Sequence, residues 1–169
     1  MTTYYGTISA ADAYHATSAN GAVWLAGTPE AKEAALIRAS RSLDGIYGKR
    51  YPGYKSGGRT QSLGWPRKDA FDHCAQEEIP SDEVPVEVEE AAYALALVEL
   101  QTPGASTPSF TVGAINKRER VDVIERERFG PADGVMLTLE NQRAKLAEVE
   151  DLLRCLLVNN GAGQPILRV

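Results

Sequence analysis

His73 and Cys74 stand side by side in "DAFDHCAQEE", with Asp69 and Asp72 just before them. These residue types hold metals and act as nucleophile and base. A metal site needs ligands converging from separate backbone positions, and no second ligand pair at finger-like spacing accompanies this one. No metal is expected. A cysteine and a histidine adjacent in sequence do not readily face each other as nucleophile and base, and no G-x-S-x-G is present. "KSGGRT" from Lys55 lacks the spacing of a phosphate cradle and no strand precedes it. The reading is no enzyme and no cofactor, with loop polar residues instead.

A second constellation has more weight. Tyr47, Tyr51, Tyr54 and Trp65 interleave with Lys49, Arg50, Lys55, Arg59 and Arg67. Aromatic faces beside cations are the chemistry of single-strand binding. They equally suit an acidic protein surface. From Arg38 to Lys68 there are eight Lys/Arg and one acid, Asp44; from Asp69 to Leu100 there are ten acids and no Lys or Arg. The basic loop of one copy can therefore face the acidic segment of the next, a heterologous contact that makes a ring when its rotation closes. The charge pattern favours this second reading. Its residues are Lys49, Arg50, Lys55, Arg59 and Arg67 against the 77–99 region, Glu87, Glu89 and Glu90 included. Trp65 and Pro66 read as a structural anchor holding the loop to the helices, because Trp buries a large area and Pro fixes the backbone.

The whole chain has 169 residues, 43% hydrophobic and 24% charged, with a net charge of −5. That fits one domain with a core and carries no global basic signal for nucleic acid. The start "MTTYYGTISAADAY" has no basic region followed by an apolar run, and no apolar stretch approaches a membrane span, so no membrane partner is expected. Two cysteines, Cys74 and Cys155, allow a disulfide but make no framework; the chain reads as intracellular, with reduced thiols.

Four helices should position these groups. Ser9, with Asp12 behind it, starts one over about 9–18, stopped by Gly21. Thr28-Pro29-Glu30 opens a stronger one ending in "DGIY", with Ala35, Leu36, Ala39, Leu43 and Ile46 on its apolar face and Lys32, Glu33, Arg38 and Arg41 mostly off it. Pro85 opens "PVEVEEAAYALALVELQ", in which Val88, Ala91, Ala92, Leu95, Ala96 and Glu99 share a face. "LENQRAKLAEVEDLLRCLLVNN" is the last, with a stripe of Leu146, Val149, Leu152, Leu153, Leu156 and Leu157. Between the last two helices, partial alternation predicts a β-hairpin near 112–128. The expected fold is mainly α: a bundle of about four helices in one domain, 1–160, with a small hairpin and an extended tail, 161–169. The tail either pairs with a partner or frays.

"YGTISAADAYHATSANGAVW", "ALIRASRSLD", "YGKRYPG", "SLGWPRKDAFD", "IPSDEVPVEVEEAAYALALVEL" and "KRERVDVIERE" occur in this order. Over about residues 4–130 the chain resembles tailed-bacteriophage proteins often labelled DnaT-like single-strand-binding proteins. The same pattern is similar to the head-tail connector, or adaptor, proteins of phage necks. The segment 130–145 departs from it. The adaptor resemblance implies a homo-oligomeric ring, commonly of twelve copies, below the portal protein. Such a ring extends the DNA channel and links head to tail or to the next neck protein, and DNA passes without specific binding. It implies a virion protein at the head-tail interface, assembled in the host cytoplasm. The portal-binding role falls on the tail: Gly161, Ala162, Gly163, Gln164, Pro165, Ile166, Leu167, Arg168 and Val169. The alternative is single-stranded DNA binding.

Overall fold

The computed structural model describes residues 3–107, 116–120, 125–128 and 146–158. Mainly α with small β elements, it holds five helices and three two-stranded antiparallel sheets among the described residues. It divides into two compact units, one of residues 1–103 with 145–169, the other of residues 104–144.

Helix α1 runs Ile8–Ala16. Its cap is Thr7, whose hydroxyl accepts from Ala10 N at 3.1 Å, so the start lies earlier than the expected Ser9. Gly21 opens a short helix, α2 (Gly21–Leu25), instead of only ending α1. A Cβ at Gly21 would lie 1.7 Å from the His15 carbonyl oxygen, so only glycine permits this close turn. Helix α3 spans Pro29–Tyr47 as its Thr28-Pro29 start predicts, with the Thr28 hydroxyl accepting from Ala31 N.

The long loop after α3 is built of short pieces. Strand β1 (Tyr54–Lys55) pairs with β2 (Arg67–Lys68) around a 3₁₀ turn at Gly58–Thr60. Strand β3 (Ala70–Asp72) then pairs with β4 (Glu77–Ile79) in the register Ala70↔Ile79, Phe71↔Glu78 and Asp72↔Glu77. Helix α4 (Val86–Gln101) follows, with Glu87 and Glu89 in the first turn, where the helix end favours negative charge.

Helix α4 is the central element. Tyr93 and Ala94 are buried as well as the expected Val88, Ala91, Ala92, Leu95, Ala96 and Glu99. The reason is packing on several sides, since α1, α2 and α3 all contact it. Helix α3, which packs on it, buries Ala35 and Ala39, small enough for close approach of a neighbour. The last described helix, α5 (Ala147–Leu153), lays Val149 and Leu153 on the core, and Leu156 and Leu157 continue beyond it. The expected upstream part of that helix, 139–145, and the tail 161–169 lie outside the described residues.

In the second unit, β5 (Asn116–Arg120) pairs antiparallel with β6 (Glu125–Arg128), with a register shift between Asn116 and Arg118. This is the hairpin expected near 112–128.

Candidate functional site

Three of the four aromatics between residues 47 and 67 are buried in the protein. Trp65 is 1% exposed, Tyr47 3% and Tyr51 5%, and Tyr51 meets the Trp65 ring edge-on at 5.7 Å. Tyr54 alone of the four is exposed, at 57%. Stacking a base on Trp65 would require dismantling the core around it.

A node of polar groups fixes this arrangement. The Tyr5 hydroxyl donates to Asp44 Oδ1 at 2.6 Å and accepts from Trp65 N at 3.1 Å. Asp44 Oδ2 accepts from Gly64 N at 2.7 Å. Burial pushes the Asp44 carboxyl above its ordinary range, although hydrogen bonds from Tyr5 and Gly64 pull the other way. Gly64 is required here, because a Cβ would lie 2.6 Å from Asp44 Oδ1.

Arg67 departs from the expected surface role. It is buried, and its guanidinium donates to the backbone carbonyls of Pro52 at 2.5 Å, Gly64 at 3.1 Å and Gly53 at 2.6 Å. Its position over the Tyr51 ring, 5.9 Å away, completes its enclosure. The other bases remain outside: Lys49 and Arg59 are exposed, as is Lys68, while Arg50 and Lys55 are half-buried. Lys55 Nζ donates to the Gln61 carbonyl.

Glu77, Glu78, Asp82 and Glu83 are exposed on the β3–β4 hairpin and the turn after it. Glu87, Glu89 and Glu90 are half-buried at the start of α4. Burial pushes the Glu89 carboxyl up, while the Tyr93 hydroxyl bond at 3.4 Å lowers it. A groove of about 360 Å³ lies among these acids, with Ile79, Pro80 and Val86 in its lining. The basic loop touches the acidic segment where the Ser56 hydroxyl donates to the Ser81 carbonyl.

The two ion pairs among the described residues lie elsewhere. Lys32 Nζ meets Asp12 Oδ1 at 2.8 Å, and Arg38 Nε meets Glu99 Oε2 at 3.0 Å. Lys32 is buried although the helical pattern placed it off the apolar face, because α1 presents Asp12 to it. Asp12 also accepts from Trp24 Nε1 at 2.8 Å, so it ties α2 and α3 to α1 instead of serving a helix end. Glu99 is buried on α4 with Arg38 from α3 on one side.

Cys74 and Cys155 form a disulfide across a separation of 81 residues, with their Cα atoms 5.3 Å apart. This replaces the reduced thiols expected from the cysteine count. The bond joins the β3–β4 turn to the segment after α5. His73 N donates to the Cys155 carbonyl at 3.1 Å, and Val158 N to the Arg50 carbonyl at 2.8 Å. The His73 ring packs against Phe71 at 5.7 Å, away from a catalytic pairing with Cys74. His15, the other histidine, is 1% exposed and bonds through Nε2 to the Tyr93 carbonyl at 3.0 Å.

The sequence allows a Cys74–Cys155 bond but reads as holding reduced thiols, and it does not foresee Arg67 as a carbonyl clamp. The even cysteine count was a signal for the first; nothing in the local pattern marks the second. Among the described residues no helix is long and apolar enough to cross a membrane. No curated protein and no solved structure matches the chain. A family model does match, from residue 4 to residue 169, so the chain belongs to the family described as "Putative DnaT-like ssDNA binding protein".

Proposed function

We propose that this chain is a structural subunit of a phage head-tail connector ring, without enzymatic activity. The observation that carries the reading is the pairing state of its charges. Exposed bases of the 49–68 loop and exposed acids of the 77–83 hairpin share one chain, and no ion pair among the described residues joins them. Two such blocks can satisfy each other between copies, and a heterologous contact of this kind makes a ring when its rotation closes. Lys49, Arg50, Lys55 and Arg59 remain in the proposed interface; Arg67 supports the loop from within. The ring, commonly of twelve copies, would extend the DNA channel below the portal protein and meet the next neck protein with its other face. Residues 161–169 would seat it on the portal. Its place would be the virion, after assembly in the host cytoplasm.

The family description favours a second reading, single-stranded DNA binding. Lys49, Tyr54, Arg59 and Lys68 are the exposed groups available to it. Burial of Trp65, Tyr47 and Tyr51 removes most of the stacking surface such binding would use. Sedimentation velocity of the wild type and of the Arg50→Glu/Arg59→Glu variant, with and without portal rings, tests the first reading. Loss of portal-templated rings in the variant supports it; rings of unchanged size contradict the proposed contact.

A further inference from the structure

The cysteine pair has a third neighbour. Asp72, Cys74 and Cys155 each bring one potential ligand atom into a group whose members lie within 4.8 Å of one another. We propose that these three residues form a redox-gated site for a thiophilic divalent cation of the Zn²⁺ class, closed by the disulfide and opened by its reduction. The inference stands apart from the connector reading.

The ligand types fit. Two thiolates and one carboxylate are a soft-dominated set that suits zinc better than magnesium or calcium. Three protein ligands leave a fourth tetrahedral position for water. Zinc–sulfur bonds of about 2.3 Å place two thiolates roughly 3.8 Å apart. Backbones 5.3 Å apart at Cα reach that spacing by side-chain rotation once the sulfurs part.

The site also has supports that do not depend on the sulfur–sulfur bond. His73 N donates to the Cys155 carbonyl at 3.1 Å, holding the two chain segments together. Asp72 Oδ1 accepts from Cys74 N at 2.7 Å and from Ala75 N at 3.0 Å, which orients the carboxylate over the turn that carries Cys74. Those bonds occupy one carboxylate oxygen. Leu153 and Leu156, on either side of Cys155, are anchored in the core. Cys74 is exposed and Cys155 half-buried, so a reductant and a cation can reach them.

The chemistry balances. A cellular or added dithiol gives two electrons and two protons to the disulfide, leaving two cysteine thiols and an oxidised dithiol. Cation binding then forms two metal–sulfur bonds and releases the two thiol protons to solvent. Metal occupancy and disulfide formation exclude each other, because both use the same sulfur electron pairs.

The test uses the full chain, reduced with a phosphine, desalted without oxygen and titrated with Co²⁺ alone. The expected result is one equivalent of cobalt with a thiolate charge-transfer band and visible tetrahedral bands, both displaced by Zn²⁺. The oxidised chain should give no band. Cys155→Ser and Cys74→Ser should each lose the two-thiolate spectrum, Asp72→Asn should keep the thiolate band but saturate only at higher cobalt, and His73→Ala should match the wild type. Circular dichroism follows the fold of each sample. No thiolate–cobalt band in the reduced wild type would overturn the site. So would a band that survives in Cys155→Ser, or a reduced chain that unfolds, since the three ligands would then no longer meet.

Discussion

Asp44 is the residue at which the sequence pattern and the fold diverge most. It is the sole acid in a basic stretch, yet it serves the interior, joining Tyr5, Gly64 and, through Tyr5, Trp65. Asp44→Ala removes the acceptor for both the Tyr5 hydroxyl and the Gly64 amide, and should cost about 1–3 kcal/mol in urea unfolding. Trp65→Ala should cost about 3–5 kcal/mol, as an emptied core site does. A near-neutral change at Trp65 would put that side chain on the surface. His15 sets a pH dependence. Burial pushes its imidazole below the ordinary histidine range, against upward pulls from the Tyr93 carbonyl, Glu148 and Asp12; Lys32 adds to the lowering. The unfolded chain then binds a proton that the folded chain resists. His15's contribution is therefore fully present above the unfolded value of about 6.5 and is lost as pH falls through the folded one. Thermal melts between pH 8 and pH 5 should show this decline, and His15→Gln should flatten it.

Among the elements, legibility followed length and local chemistry. Helix α3 was readable because Thr28-Pro29 marks its start and apolar residues recur over many turns. Helix α4 was readable in extent but not in exposure: burial spread beyond its one expected face because α1, α2, α3 and α5 all pack on it. Strands β1 to β4 are two or three residues long, too short for any alternation to register. Arg67 looked like a surface base because its carbonyl partners, Pro52, Gly53 and Gly64, are brought to it only by the folded loop. The Cys74–Cys155 bond depends on α5 returning to the β3–β4 turn, which no local signal marks. Closing a loop of this length restricts the unfolded chain, so its reduction should lower stability by about 2–4 kcal/mol. Urea midpoints with and without a dithiol measure this; identical midpoints would show that the bond does not constrain the unfolded chain.

On the scale of the whole molecule, the modest net charge of −5 conceals two exposed blocks of opposite sign. An assembly held by such blocks weakens as salt screens them. Portal-templated rings should therefore loosen between low and high salt, with Arg50→Glu/Arg59→Glu already weakened at low salt; sedimentation velocity reads both. The alternative use of the same bases, on a DNA backbone, is salt-sensitive too. Salt dependence alone therefore does not separate the readings, and the partner must. The most direct measurement is a paired pull-down of the purified chain at physiological salt, with assembled portal as one bait and single-stranded DNA as the other. The connector account predicts capture by portal and none by DNA. Capture by DNA and none by portal would contradict it and make the chain the single-strand binder that its family description names.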